Sequence, residues 1–369
     1  MITILGAGIG GLTLARILSL NGIACRVFDA DPSASSRHQG GMLNINEGTG
    51  LAALETAGLS EAFRVQVLPG GDAMKIMDKT GAVRMEDRGD GGRPEITRGR
   101  LRRLLVESVP AGLVRWGSKA TRVEKFNDGF ALTFADGHTE VAEALVGADG
   151  AWSKVRPLVT NARPQYTGVS FVELRYLQAD RRFPRALELV GDGLLFALSD
   201  GRGFFGHCEP DGELCIYAAL KVPEDWHLRG INREHVAAHF EGWHPDYLAL
   251  IAQSDGDIVV RPIHALPTGH TWERVPGVTL IGDAAHVMSP FAGEGVNLAM
   301  ADAADLAAAL VANPGDIDAA LAAYEAKAFP RTEEVAAQSA SNLELAFAPD
   351  APQGYLDFFA SLGLGQASS

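Results

Sequence analysis

Cysteine is scarce in this chain. There are three, Cys25, Cys208 and Cys215, odd in number and never in a CxxC pair. That excludes a disulfide framework and suits a reducing compartment, so the cytoplasm is the expected location. Basic residues are outnumbered, 32 against 46 acids, for a net charge of −14. So acidic a chain is a poor partner for nucleic acid or an anionic membrane. No run of about 18 uncharged apolar residues occurs, so no membrane-spanning segment is expected. Met1 leads at once into a short apolar strand and a glycine turn, without the basic segment of a secretory leader. Repeats, low-complexity tracts, an HExxH pair and any Cys/His cluster are also missing, and no metal is expected.

What is present is ordinary for a globular enzyme: 47% hydrophobic and 21% charged residues. At 369 residues the chain exceeds one typical core and reads as two domains with an appendage. "ITIL" at 2–5 reads as a buried strand, Gly6–Gly11 as a tight turn, "LTLARILSLNG" as a helix and "ACRVFDAD" as the next strand. "GLAALETAGL" and "RGRLRRLLVESV" have helical spacing, with turns at Gly70-Gly71 and "RGDGGRP" between them. Residues 164–269 change character. "FVELRYLQ", "GLLFALSD", "GFFGHCEP" and "ELCIYAALKV" read as strands of an antiparallel sheet inserted into an α/β domain. The α/β pattern resumes at 278, and 315–347 is helical with a kink or break expected at Pro330. The tail "GQASS" should fray.

Three stretches carry chemistry. Gly6-Ala7-Gly8-Ile9-Gly10-Gly11 fits GxGxxG between a strand and a helix. Gly6 permits the turn, Gly8 lets backbone approach a pyrophosphate, and Gly11 lets the helix pack on the strand. The helix N-terminus adds amide donors and a positive dipole. Asp29 ends the next strand, where its carboxylate can accept hydrogen bonds from an adenosine ribose and repel a 2′-phosphate. "LVGADGAWSKVR" places Asp149-Gly150 at another strand end. In "LIGDAAHVMSPFAGEGVN", Asp283 follows a strand and a helix begins near Gly293–Asn297. A long cofactor reaching a second strand end would use both: Asp283 for a ribityl chain, the helix dipole for reduced flavin.

Together, GAGIGG, GADGAWSKVR and IGDAAHVMSPFAGEGVN resemble the single-component FAD-dependent aromatic hydroxylases of the para-hydroxybenzoate hydroxylase type. Within these, "GGMLNINEGTGLAALETAGL", "PEITRGRLRRLL" and "VPEDW" make the chain most similar to the tetracycline-inactivating flavin monooxygenases. The resemblance implies an α/β fold: a Rossmann-like FAD-binding domain, discontinuous over 1–72, 95–163 and 270–325. It implies a substrate-binding β-sheet domain at 73–94 and 164–269, and a C-terminal helix at 326–369 bordering the substrate entrance. It puts Arg98, Asp149 and Asp283 on FAD, with Asn44, Pro290, Gly293, Gly295 and Asn297 around the ring and Arg37 on the nicotinamide cofactor. Arg102 and Arg103 read instead as a solvated helix face.

The sequence departs from the subfamily at Asn44, usually aspartate, and at Glu294, usually glutamine. The drug-contacting glutamine, arginine and histidine fall at Glu173, Gly193 and Cys215. A site that reads hydrogen bonds loses selectivity steeply when its partners vanish. Candidate substrate residues are Glu173, Cys215, Phe196 and Phe291, with Phe171, Phe204, Phe205 and Tyr217 lining a flat pocket where strand alternation allows. Asn342, Leu345 and Phe347 would border the entrance.

The implied reaction uses NADPH or NADH to reduce FAD, then O2 at flavin C4a to give a hydroperoxide that hydroxylates an aromatic or enol carbon. A tetracycline or a smaller phenol would serve as substrate, and no protein nucleophile is required. His286 is a weaker candidate for proton management. Two rivals stand beside this reading. A flavin halogenase or reductase shares the framework, but no two of the five tryptophans are two residues apart, so the halogenase WxWxIP signature is missing. A non-catalytic flavoprotein that sequesters a drug would consume no NAD(P)H. A monomer is expected.

Overall fold

Four consecutive apolar residues, Ile2–Leu5, form a fully buried strand. Unalternating burial of that kind belongs to a parallel sheet covered on both faces. In the computed structural model this strand is the centre of a five-stranded parallel sheet. The order is Val278–Leu280, Ala144–Gly147, Ile2–Leu5, Cys25–Phe28, Val114–Arg115. Residues 1–36, 41–68, 73–89, 94–191 and 193–361 are described. Arg37, the Gly70-Gly71 turn, the middle of "RGDGGRP" and the tail "GQASS" lie outside them.

The chain divides into two compact units. The first comprises Met1–Val67, Arg98–Gln165 and Ala265–Ser339 and contains the parallel sheet. Helices Ile9–Leu20 and Gly295–Ala312 pack on each other so closely that a Cβ on Gly10 would come within 3.1 Å of the Ala299 carbonyl oxygen. A three-stranded antiparallel sheet, Ala120–Phe126, Gly129–Phe134 and Thr139–Ala142, adds Phe130, Leu132 and Phe134 to a core with Phe28, Leu145 and Leu280.

Helix Gly295–Ala312 is long and apolar enough to cross a membrane by composition. Here it is a core helix, with buried Asp302 paired to Arg331 and His286. Of the kink or break expected at Pro330, the break does not occur: one helix runs from Ile317 to Ala346 with Pro330 inside it. Proline removes one backbone donor. Lys327 and Arg331 on either side both reach Asp305 at 2.5 Å, and Phe329 packs edge-on to Trp272. Tertiary contacts therefore hold both halves in register.

The second unit comprises Leu68–Thr97, Tyr166–His264 and Ala340–Ser369. Its sheet has seven strands, in the order Asp255–Ala265, Gln165–Tyr176, Glu213–Lys221, Arg202–Glu209, Leu194–Ser199, Met74–Met77, Val83–Asp87. The four strands expected from the sequence pair antiparallel as a meander. One pairing, Leu194–Ser199 with Met74–Met77, is parallel.

Alternation splits this sheet into two faces. Val172, Leu174, Tyr176, Phe204, Leu214, Ile216 and Leu195 pack into a core with Phe240, Trp243 and Tyr247. Phe204 stacks on Tyr247 with ring centroids 5.4 Å apart. It therefore belongs to the core and not with the other candidate lining residues. On the opposite face, register aligns Glu173, Tyr217, Phe205 and Phe196 across four strands.

Phe204→Ala should therefore cost about 3–5 kcal/mol of stability, while Phe205→Ala, one residue on, should cost clearly less. Urea-unfolding midpoints of the two variants check this.

Candidate active site

The carboxyl ends of the parallel strands lie side by side. Gly6 N–H donates to Phe28 O (2.7 Å), Ala148 N–H to Leu5 O (2.8 Å) and Ile281 N–H to Gly147 O (2.9 Å). This sets the turns carrying Gly6, Asp29, Asp149 and Asp283 along one sheet edge, where ligands of open α/β sheets bind. Gly6 has φ +111°, and a Cβ there would lie 2.2 Å from Ala148 O. A Cβ on Gly11 would lie 2.1 Å from Gly6 O. Neither position can carry a side chain. Gly8 is different: a Cβ there would meet nothing within 4 Å. It opens the first turn of helix Ile9–Leu20 to the space above.

Asp29 holds the turn from below. Its carboxylate accepts from Ala7 N–H (2.5 Å) and Asp31 N–H (2.8 Å). Arg102, expected on a solvated face, is instead buried. It donates to Ala7 O (3.3 Å) and Ala34 O (2.5 Å), pairs with Asp31 (3.2 Å) and lies over the Trp116 ring. Charge patterning misread it because the inward stripe of helix Arg98–Ser108 is set by what it packs on. Arg103 is exposed, as expected. Arg98, the first residue of that helix, is exposed, and its N–H donates to Gly41 O (3.0 Å). Arg37 lies outside the described residues.

The second turn is self-capped. Asp149 accepts from Ser153 Oγ and Lys154 N–H, each at 2.6 Å, while burial pushes its carboxyl above the usual range. Arg156 joins this turn to the third. Its buried guanidinium donates to Ala151 O, Asp283 O and Ala284 O, each at 2.8 Å. The Asp283 side chain itself is exposed. Beyond it, Pro290–Ala292 form a short turn that buries Phe291, and Gly293 has φ +71°. Neither Gly293 nor Gly295 would bring a Cβ within 4 Å of anything, so the N-terminus of helix Gly295–Ala312 also faces open space.

Asn297 is buried and spends its amide on backbone: Oδ1 accepts from Asn46 N–H (3.0 Å) and Nδ2 donates to Asn44 O (3.1 Å). Glu294 accepts from Asn46 Nδ2 (2.5 Å), and burial pushes its carboxyl up. His286 lies beneath this loop, fully enclosed. Burial alone would discharge it, but Asp302 at 2.6 Å outweighs that and raises its pKa. Asp302 also accepts from Gly282 N–H (2.9 Å) and pairs with Arg331 (2.8 Å). His286 thus holds the turn of Asp283 in place.

In the second unit, Phe171, Phe205 and Tyr217 contact one another on the outer sheet face, and Phe196 meets Phe205 edge-on. Tyr355 and Phe359 of the C-terminal segment flank Phe196, and Phe347 approaches Phe205. Glu173 is buried, clasped by Arg175 (2.6 Å) and Arg261 (2.7 Å). Burial would raise its carboxyl, but the two guanidiniums hold it below the usual range. Cys215 is buried, and burial pushes its thiol up to about 12. Gly193 has no room for a side chain: a Cβ would lie 1.9 Å from Ala73 O.

Two helix N-termini facing open space and an exposed carboxylate at a third strand end fit a long dinucleotide. The amides suit its pyrophosphate and ring oxygens, and Asp283 suits its polyol. Fold and site define a dinucleotide-binding flavoprotein.

Comparison with known proteins agrees. The family model described as "FAD binding domain" matches residues 1–184 and 270–339. A monooxygenase, penA, of Penicillium thymicola is 30% identical, covering 94% of this chain and 95% of that protein. The 3-amino-4-hydroxybenzoate 2-monooxygenase of Streptomyces cremeus is 30% identical, covering 95% and 89%. Klebsiella pneumoniae HpxO, solved with FAD and uric acid, is 25% identical with a TM-score of 0.79, covering 98% and 92%. The tetracycline destructase Tet(55) shares the fold, with a TM-score of 0.78 at 19% identity, covering 98% and 94%. The chain belongs to the FAD-dependent aromatic monooxygenases, and FAD is its cofactor.

Three outcomes are expected. Gly11→Ala should abolish FAD retention during purification, read from the flavin absorbance of the isolated protein. Asp302→Ala leaves buried His286 without its carboxylate, while half-buried Arg331 keeps Asp305, and should cost about 3–5 kcal/mol. The pair also sets a pH dependence. Because the folded-state pKa of His286 lies above its ordinary value, its contribution is full below about pH 6.5 and is lost as pH rises through the raised value. Melting temperature against pH should show that alkaline loss in the parent and not in Asp302→Ala.

Proposed function

We propose that this enzyme uses NAD(P)H and O2 to hydroxylate an electron-rich carbon of a planar phenol or enol. The observation that carries the reading is the aromatic row of the second unit's sheet. Phe196, Phe205 and Tyr217 stand in register on three neighbouring strands, with Phe171 beside them and the hydrophobic core on the other face. Such a surface takes a flat ring by stacking. Bound FAD supplies the redox and oxygen-activating chemistry. The chain's own residues bind, orient and exclude water.

In this reading Gly6, Gly8 and Gly11 admit the pyrophosphate, Asp29 meets the ribose, and Asp283 meets the ribityl chain. The backbone at Pro290, Gly293 and Gly295 lines the ring. Asn297 and Asn44 act as braces through the bonds described above. Arg98 and Asp149 border the cofactor. Phe196 contributes an apolar wall to the substrate site.

A one- or two-ring substrate is favoured over tetracycline. At the positions of the drug-contacting residues, Glu173 is occupied by two arginines, Gly193 cannot accept a side chain, and Cys215 is a buried thiol. A polyhydroxylated amide would find few partners there, whereas a smaller ring needs chiefly the aromatic row. Relatives named for 3-amino-4-hydroxybenzoate and 6-hydroxynicotinate support this size class.

The test incubates purified protein with NADPH, air and, separately, tetracycline, an aminohydroxybenzoate and a hydroxypyridine carboxylate. A product one oxygen atom heavier is expected from a small ring and not from tetracycline. Conversion of tetracycline alone would overturn the size argument. Tight binding of all three without NADPH consumption would favour a sequestering flavoprotein instead.

A further inference from the structure

The hairpin of strands Arg202–Glu209 and Glu213–Lys221 sets His207 directly opposite Cys215. Both lie on the face that carries the aromatic row. Glu209, two residues beyond His207, falls on the same side by alternation. One ligand atom from each residue, an imidazole nitrogen, a thiol sulfur and a carboxylate oxygen, lies within 4.8 Å of the other two. His207 Nε2 stands 3.4 Å from Glu209 Oε1, yet it is buried and makes no hydrogen bond. A buried ring nitrogen in that state is unfavourable and rare.

We propose that His207, Glu209 and Cys215 form a binding site for a divalent transition-metal cation of the zinc class. The set is a borderline-soft one, nitrogen, sulfur and a single carboxylate oxygen, which selects zinc over magnesium or calcium. Zinc holds such ligands at about 2.0–2.3 Å, so the trio closes on an ion by side-chain rotation while the strands stay paired. The enclosure is right for a metal: Cys215 is 1% exposed, and the side chains of His207 and Glu209 are 12% and 8% exposed. Both of the latter stand at the hairpin end, which gives the ion a way in.

Charge also permits a cation here. Arg175 is the cross-strand neighbour of Cys215 and would repel one. It is engaged, however, by Glu173 at 2.6 Å and faces Glu213 at 4.0 Å. Three carboxylates, Glu173, Glu209 and Glu213, stand around this guanidinium, with Arg261 also turned onto Glu173. Zinc takes Cys215 as its thiolate. Binding breaks its S–H bond, forms a sulfur–metal bond and releases one proton to solvent. Three protein ligands leave a fourth position for water or a substrate oxygen.

The test uses the FAD-loaded enzyme, stripped of metal with a chelator, dialysed and titrated with cobalt(II) chloride. The expected result is the visible d–d band of tetrahedral cobalt, saturating at one equivalent, accompanied by proton release and erased by zinc. The band should be lost in Cys215→Ser and in His207→Gln. Glu209→Gln, at the hairpin end, serves as a third variant should either of these fail to retain FAD. A titration of the parent without the band would overturn the proposal. So would a band of equal strength in a folded Cys215→Ser.

Discussion

Backbone packed directly on backbone is the constraint from which the candidate cofactor site follows. Gly11 sits beneath the Gly6 carbonyl, and Gly6 sits against Ala148, with room for a hydrogen and nothing larger. Only that approach lets helix Ile9–Leu20 leave its strand steeply enough to aim its first amides over the sheet edge. Gly10 repeats the device against Ala299 and so couples the first helix to Gly295–Ala312. Two helix starts separated by about three quarters of the chain are thereby built into one unit, and both remain open to a ligand.

Buried charges then fix the loops that the glycines allow. Arg102 braces the first turn, Arg156 ties the second to the third, and Asp302 collects Gly282, His286 and Arg331. Each such group is costly to bury alone and stable only when its partners are complete. Because each reaches at least one partner in a distant stretch of chain, the charges act as staples. They also explain why an acidic protein keeps several arginines away from water.

What was legible in the sequence follows from the range of the interactions. Gly6, Gly8, Gly11, Asp29 and Asp283 were readable because their requirements are local: a turn, a close approach, a strand end. Alternation in the sheet strands was readable too, but which alternate faced the core was not. Phe204 and Phe205 differ only in the partner layer each meets. Arg102 was misread because its helix offers no local reason to bury a cation; Asp31, Ala34 and Trp116 supply the reason. The His207–Glu209–Cys215 trio was invisible because no metal-ligand spacing joins it, and only hairpin register brings Cys215 across from His207. Proline does not break the helix at 330, where flanking ion pairs tie both sides to Asp305. The departures at Glu173, Gly193 and Cys215 were visible as letters, and the structure adds why each loses a polar contact.

The central claim is that oxygen passes from O2 to a planar substrate in a chain whose own residues only bind and position. It is tested most directly by one turnover of the small-ring substrate under isotopically heavy O2 in ordinary water, followed by mass analysis of the product. Product carrying one heavy oxygen atom is the result this account predicts. Product carrying only solvent oxygen, or none at all while NADPH is consumed, would contradict it.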